Sequence, residues 1–564
     1  MDRSRATCPE WVRVTPGRSA VGIGTCVVAQ LEPADVGTAD APVAVTRRPR
    51  PTVRDIAAVA VLLELIPVVH DVRTMLSAPY WVDEAWVALS VRFPLGDLPV
   101  TTSSSPIGWS FLLRLVPDTD QLRLVPLVFH GLVVVAAYMF GRSLRWATPG
   151  RGIVAGTACA VTVLLLPAQQ VRHDLKQYTA DAAVAVALLV LVSWTEHSWS
   201  RRRLGVLTAV VAVGVLVSHV TAIVAPCAFG ALMLTTAIRR QWPRLVEVTL
   251  AGLNAGVIVT AVYFGISARG RNEAMERYWV DSFPAPTELP GYLGRQFELL
   301  SPVVGAPGLV VTGLLVAGTL TLLRRGRPAT ATAVTLLPLV VVTLGIAGVY
   351  PLLELRTSHF LLVTMAAVAG IGVAGLADRA AVLARRGLPR VRPAVLAAGI
   401  CAVLLGAFGI GNSRWYRFDG NESGLYYTAV AVTDVRSATE YVARNRAPND
   451  VVVLNSTAWY GFAFYSERDA VELVAPYGNT VGWWVAMPTR PDAVVVTGHD
   501  TTAIRAGLRQ ALELAGRRDG DARVWVIRSH VIGEEVDAWR QALADYRVEL
   551  VTEGVEPVAL ISQG

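Results

Sequence analysis

Three short segments concentrate the side chains able to do chemistry. The first, YWVDEAW (80–86), sets two adjacent acids, Asp83 and Glu84, in an aromatic stretch. A carboxylate held there can take a proton from a hydroxyl or ligate a metal. The plain alternative is a first-turn acid that favours a helix start. The second segment, RHDLKQYTAD (172–181), spaces Asp174, Tyr178 and Asp181 at i, i+4 and i+7, with Arg172 and Lys176 beside them. That spacing places the three on one face of a helix; a solvated loop whose charges set topology is the alternative. The third, YPLLELRTSHF (350–360), carries Arg356 and His359, suited to a phosphate or a sugar, with Glu354 available to neutralise Arg356.

Lys176 is the single lysine among 51 basic residues. Where arginine serves every other positive position, one lysine marks a place for a compact ammonium; chance retention is the alternative. Lesser candidates are Glu64, His219 and Trp279, which read more simply as helix–helix hydrogen bonders and an interfacial anchor. The aromatic run Trp459, Tyr460, Phe462, Phe464 and Tyr465 reads as core packing rather than a sugar platform.

Elements that span a membrane must hold these segments. The chain is 53% hydrophobic and 17% charged, against about a quarter charged in a soluble domain. Apolar runs lie at 55–76, 121–141, 152–170, 178–195, 204–220, 222–238, 245–266, 303–323, 329–350, 358–376 and 393–411. Each is long enough to cross a hydrocarbon core of about 30 Å as a helix. Arginine clusters mark every second connection: Arg142, Arg145 and Arg151; Arg201 to Arg203; Arg239, Arg240 and Arg244; Arg324, Arg325 and Arg327; Arg379 to Arg392. With Arg47, Arg48, Arg50 and Arg54 before the first run, the positive-inside rule puts the N-terminus in the cytoplasm. It puts the three chemical segments on the outer side of the plasma (inner) membrane. The long first outward connection contains two amphipathic segments, 81–93 and 106–116, expected to lie in the interface.

Residues 1–54 read as a disordered cytoplasmic tail, without the basic-then-apolar order of a signal peptide. After the last run, VVVLN (451–455), AVVVTG (493–498) and VWVIRS (524–529) read as buried strands. They alternate with helical patterns at 434–446, 501–517 and 533–546, predicting an extracytoplasmic α/β domain over 412–564. No glycine-rich phosphate loop follows those strands, so no nucleotide site is expected. The net charge of +7 comes from loop clusters and forms no stripe, so nucleic acid is not an expected partner. None of the five cysteines falls in the C-terminal domain, and their spacing forms no metal or redox motif.

The three segments, in this order and on one membrane side, resemble the C superfamily of glycosyltransferases. That superfamily includes the protein O-mannosyltransferases, the lipid A aminoarabinose transferases and an uncharacterised bacterial branch. Asp83-Glu84 match its acidic pair in the first outward loop, and PIGWSFLLRL (106–115) its second interfacial helix. HDLKQYTAD, the group Tyr278, Trp279, Phe283 and Pro284, and Tyr350, Pro351, Arg356 and Phe360 match its later outward motifs. The likeness covers about residues 55–411. It implies a hexosyl- or pentosyltransferase moving a sugar, with inversion, from a polyprenyl-phosphate donor to a hydroxyl of a glycan, lipid or protein acceptor.

The resemblance also implies roles. Asp83 becomes the base, with Glu84 orienting it or binding metal. Lys176 and Arg356 face the departing lipid phosphate. Asp174 orients Lys176 or contacts the sugar, with Tyr178 and His359 in the same donor site. A phosphate leaving group needs little protonation, so a second acid of the glycosidase kind is not required. Some relatives bind a divalent metal, for which Glu84, His173 and Asp174 are the candidates here, though their spacing does not show one. A secondary transporter would instead show internal repeats and broken helices at the midplane. A non-catalytic membrane scaffold with an outer binding domain would tolerate loss of Asp83 and Lys176.

Overall fold

The computed structural model describes residues 52–102, 105–167, 174–270, 278–384, 390–416, 434–466, 471–474, 485–488, 490–518, 522–531, 533–552 and 556–563. The expected N-terminal tail up to residue 51, together with Arg172 and His173, lies outside the described residues. The rest is a polytopic α-helical membrane protein with a small α/β domain at its C-terminal end.

Among the described residues, seven helices are long and apolar enough to cross a membrane: Thr119–Arg142, Tyr178–His197, Thr221–Ile238, Trp242–Gly270, Pro328–Ile346, His359–Ala384 and Pro393–Gly411. Pro149–Leu164 and Gly308–Arg324 are shorter apolar helices. Arg201–Val217 covers the expected run 204–220 up to residue 217. The expected run 55–76 is not one helix but three, Val53–Glu64, Ile66–Val69 and Val72–Ser77. Pro67 interrupts it, and Asp71 restarts it by accepting a hydrogen bond from the Thr74 N–H at 3.3 Å.

Tyr178–His197 and His359–Ala384 form the buried centre of the bundle. Gly308–Arg324 approaches the latter backbone to backbone. A Cβ on Gly318 would run into the Val368 carbonyl, and one on Gly372 into that of Leu314. Small residues at such crossings are how apolar helices gain contact where lipid supplies no hydrophobic drive.

Several of the described arginines expected to set topology lie at one end of the bundle and are paired there. Arg142 meets Asp55 at 2.7 Å, and Arg151 and Arg325 share Asp378 at 3.1 and 2.9 Å. Glu196 accepts from the Ala329 and Thr330 N–H groups at 2.8 and 3.2 Å, satisfying the start of Pro328–Ile346. The three chemical segments lie at the opposite helix ends.

Those ends carry the short helices Val82–Ser90 and Ile107–Arg114. Neither of the segments 81–93 and 106–116 spans; the C-terminal domain covers part of their apolar surface, while Phe111 and Leu115 stay exposed. Ala85, Val87, Leu89, Trp109 and Leu113 are buried together with Ala463 and Phe464 of the C-terminal domain.

In that domain, the strands Val451–Asn455 (β1), Ala493–Val496 (β4) and Val524–Ile527 (β5) run parallel, as their apolar runs predict. The sheet order is β4-β1-β5-β7-β6, with Tyr546–Leu550 (β6) and Val558–Gln563 (β7) added antiparallel. Val471–Val474 (β2) and Val485–Pro488 (β3) form a separate antiparallel ladder. Thr501–Arg518 and Glu534–Leu543 pack on one face of the large sheet, and Val435–Asn445 and Ala458–Ser466 on the other.

Candidate active site

Asp83 stands in the first turn of Val82–Ser90, and three interactions fix that helix start. The Tyr80 hydroxyl donates to the Thr119 carbonyl at 2.8 Å and accepts from the Leu122 N–H at 3.1 Å. The Tyr80 N–H donates to the Tyr465 hydroxyl at 2.6 Å, tying the turn to the C-terminal domain. Beneath it, Arg123 donates from Nε to Glu84 Oε1 at 2.7 Å and from Nη2 to Oε2 at 2.5 Å. Arg123 also donates to the carbonyls of Met75, Ala78 and Pro79.

Glu84 is therefore not the partner of Asp83 that its adjacency suggests. Both its oxygens face a buried guanidinium, and its neighbour in sequence points away from it, since adjacent helical residues do not share a face. Arg123 was not among the sequence candidates. Its one sequence signal is an arginine at the outer start of a span, where arginine is disfavoured.

The Asp83 carboxylate meets two cations drawn from distant segments. Lys176 Nζ lies 2.8 Å from Asp83 Oδ2 and also sits 5.5 Å from the centre of the Trp86 ring. Arg356 Nη1 lies 3.2 Å from the same oxygen. Arg356 also donates to the Tyr278 hydroxyl at 2.7 Å and from Nε to Glu354 Oε1 at 3.3 Å. Side-chain exposures of 22% for Asp83, 10% for Lys176 and 17% for Arg356 leave the cluster reachable.

Burial pushes the Asp83 carboxyl up, but Lys176 and Arg356 outweigh it and hold the group below its ordinary range. Arg356, although desolvated, is held well above its ordinary value by Tyr178, Glu354 and Asp83.

Lys176 is placed by its own neighbours. Asp174 Oδ1 accepts the Lys176 N–H at 3.0 Å, and Trp109 Nε1 donates to the Leu175 carbonyl at 2.7 Å. Asp174 closes this turn before the helix, which begins at Tyr178. The expectation of one helical face for Asp174, Tyr178 and Asp181 is thereby corrected. A side chain bonded to the backbone two residues on makes an Asx turn that competes with helix. Burial, reinforced by Asp83 and Glu84 and opposed by Lys176, raises Asp174 to about 7.

Tyr178 is buried close to Arg356, while Asp181 is buried one turn deeper. His359 is buried at the start of His359–Ala384, and its N–H donates to the Arg356 carbonyl at 3.3 Å. It supports the loop that carries Arg356.

The described residues do not fit a divalent metal. Glu84 is engaged by Arg123, Asp174 by backbone, and the two groups against Asp83 are cations. Among the described residues no three His, Cys, Asp or Glu side chains converge, and His173 lies outside them.

No protein-family model and no curated protein matches the chain. Among solved structures it is similar to ArnT from Cupriavidus metallidurans bound to undecaprenyl phosphate. The identity is 14% and the TM-score 0.50, over 90% of this chain and 97% of that one. It is also similar to the oligosaccharyltransferase of Archaeoglobus fulgidus in complex with Zn and sulfate, at 12% identity and a TM-score of 0.49. That match covers 87% of this chain and 71% of the other. The likeness to ArnT, over nearly the whole of both chains, shows that the two share a fold.

Proposed function

We propose that this protein is a membrane glycosyltransferase that moves a sugar from a polyprenyl-phosphate donor to an acceptor hydroxyl, with inversion. The observation that carries the reading is one carboxylate, Asp83, facing an ammonium and a guanidinium in a reachable cluster at one end of the bundle. ArnT, with the same fold, is bound to undecaprenyl phosphate, which supports a lipid phosphate as the leaving group. The positive-inside pattern supports an extracytoplasmic side of the plasma membrane for the cluster and the C-terminal domain.

In the reaction, the acceptor oxygen attacks the anomeric carbon and the bond to the phosphate oxygen breaks on the opposite face. The hydroxyl proton passes to Asp83, and the phosphate leaves with the bonding electron pair. Lys176 and Arg356 stabilise that charge as it grows.

In the donor-free protein both cations lie on Asp83 and weaken it as a base. An arriving phosphate competes for them, so Asp83 regains basicity only when donor is bound. Tyr278 and Glu354 hold Arg356, and Asp174 holds Lys176 through its backbone. A transporter would need its polar groups near the midplane, whereas this cluster lies at helix ends.

The test is transfer of radiolabelled sugar from a panel of polyprenyl-phosphate sugars in membranes carrying wild type or Lys176→Ala. Wild type is expected to label an acceptor, and Lys176→Ala to lower the rate about 100-fold or more, the scale for removing one transition-state charge partner. Equal transfer by both proteins refutes the assignment of Lys176, and transfer by neither from any donor refutes the reaction.

Asp174 gives a pH dependence. With its folded value near 7 above an unfolded value of about 3.9, the neutral form is favoured on folding. Its contribution to stability is full below about 4 and is lost as pH rises through about 7. Above 7 a new negative charge stands beside Lys176, so the donor KM is expected to rise between pH 6 and 8. Asp174→Asn should flatten that profile; a profile unchanged by the substitution would remove Asp174 from donor binding.

A further inference from the structure

The large sheet of the C-terminal domain has its topological switch between β1 and β5. From β1 the chain runs to Ala458–Ser466 on one face, and from β5 to Glu534–Leu543 on the other. In open α/β sheets, ligands bind in the crevice outside the carboxyl ends of the strands at such a point. Here that crevice opens toward the Asp83 cluster.

The loop leaving β5 carries His530, whose ring lies 6.3 Å from that of Trp81, centre to centre. Trp81 immediately precedes the helix that bears Asp83. His530 and Asp83 are close enough for each charge to bias the other, with Arg356 and Glu535 also facing the imidazole.

The loop is rigidly built. Asn455, at the end of β1, donates to the Ser529 carbonyl and accepts the Ser529 N–H, both at 2.9 Å. Thr457 donates to the same carbonyl, and Glu556 accepts the His530 N–H at 3.2 Å. His530 itself has φ +49°, in the left-handed region that disfavours a residue with a Cβ. Such strain persists where surrounding structure imposes it, and it concentrates at functional sites. The Tyr80–Tyr465 hydrogen bond and the burial of Phe464 against Tyr80 hold the two domains in register.

We infer that the C-terminal domain completes the active site, and that His530, opposite Trp81, binds an acceptor glycan and presents its hydroxyl to Asp83. This rests on the proposed transfer reaction and deepens it to the acceptor side. The Trp81 indole offers a sugar ring an apolar face with a polar edge, and the imidazole N–H donates to a hydroxyl beside the attacking one. Burial lowers the pKa of His530 against the opposing pull of Asp83 and Glu535, which favours the neutral ring, with one nitrogen to donate and one to accept. The attacking hydroxyl still loses its proton to Asp83.

The clean variant is His530→Gly, because a positive φ suits glycine and removal of the ring relieves strain rather than adding it. In full-length protein at saturating donor, His530→Gly is expected to raise the acceptor KM about tenfold, the scale of one hydrogen bond to a bound ligand. The donor KM and thermal stability should be unchanged, and His530→Asn, which tolerates the backbone and retains an N–H, should recover part of the loss. An unchanged acceptor KM, or an equal rise in the donor KM, overturns the inference while leaving the reaction intact. Glycan-array binding by both proteins separates the two ideas further. Binding that His530→Gly loses supports the inference even if no donor is turned over. Equal binding, or none by either protein, overturns it.

Discussion

Asp83→Asn is expected to lower kcat for transfer by about 10²–10⁴-fold, the contribution of a positioned general base, without raising the donor KM. The amide keeps the shape of the carboxylate but cannot take the acceptor proton. It also releases Lys176 and Arg356, which lie 2.8 and 3.2 Å from one Asp83 oxygen, from competition with the donor phosphate. Donor binding should therefore hold or tighten while turnover collapses. That divergence separates a base from a structural ion pair, whose loss would damage binding and turnover together. The measurement is steady-state transfer at varied donor concentration, beside donor binding to the same protein. Wild-type turnover in Asp83→Asn would remove Asp83 from the chemistry.

Much of this architecture is legible in the sequence because the bilayer leaves few options. Backbone groups in hydrocarbon must be satisfied internally, so long apolar runs become helices, and arginine spacing orders them. The pairing of Arg151 and Arg325 on Asp378 shows topology-setting charges from separate connections meeting at one end. β1, β4 and β5 are equally legible as short apolar runs; β1 and β5 are buried on both faces of the sheet, and β4 is half-buried at its edge. β6 is not: YRVEL is an outer strand with most side chains exposed, so its pattern resembles a loop.

The site is legible in residue type. Asp83, Lys176 and Arg356 stand out as charges where an outward connection should have few, and the fold brings them together across 93 and 273 residues of sequence separation. Nothing local could show that Glu84 turns to Arg123, or that Asp174 closes a turn instead of joining a helix face. His530 carried no signal at all, because its place depends on how one domain docks on another. An isolated histidine in a loop gives no hint of a neighbour hundreds of residues away.

The other large effect concerns that hidden pair. Arg123→Met is expected to destabilise the protein by about 3–5 kcal/mol, the cost of leaving one member of a buried ion pair uncompensated. Glu84 and Arg123 side chains are 0% and 2% exposed, so water cannot replace the lost partner, and the carbonyls of Met75, Ala78 and Pro79 lose their donors as well. Glu84→Gln combined with Arg123→Met removes the stranded charge and should recover part of that loss, giving a coupling measurable by a double-mutant cycle. Recovery is expected to be incomplete, because the three carbonyls stay unpaired and the turn ahead of Asp83 loosens. The readouts are thermal unfolding in detergent and transfer per folded molecule. A stability loss with normal transfer per folded molecule confines Arg123 to holding the fold. Reduced transfer that tracks a loosened Asp83 helix, in the double variant where stability is partly restored, makes the strut a positioning device for the base. Arg123→Met with wild-type stability would contradict the buried pair outright.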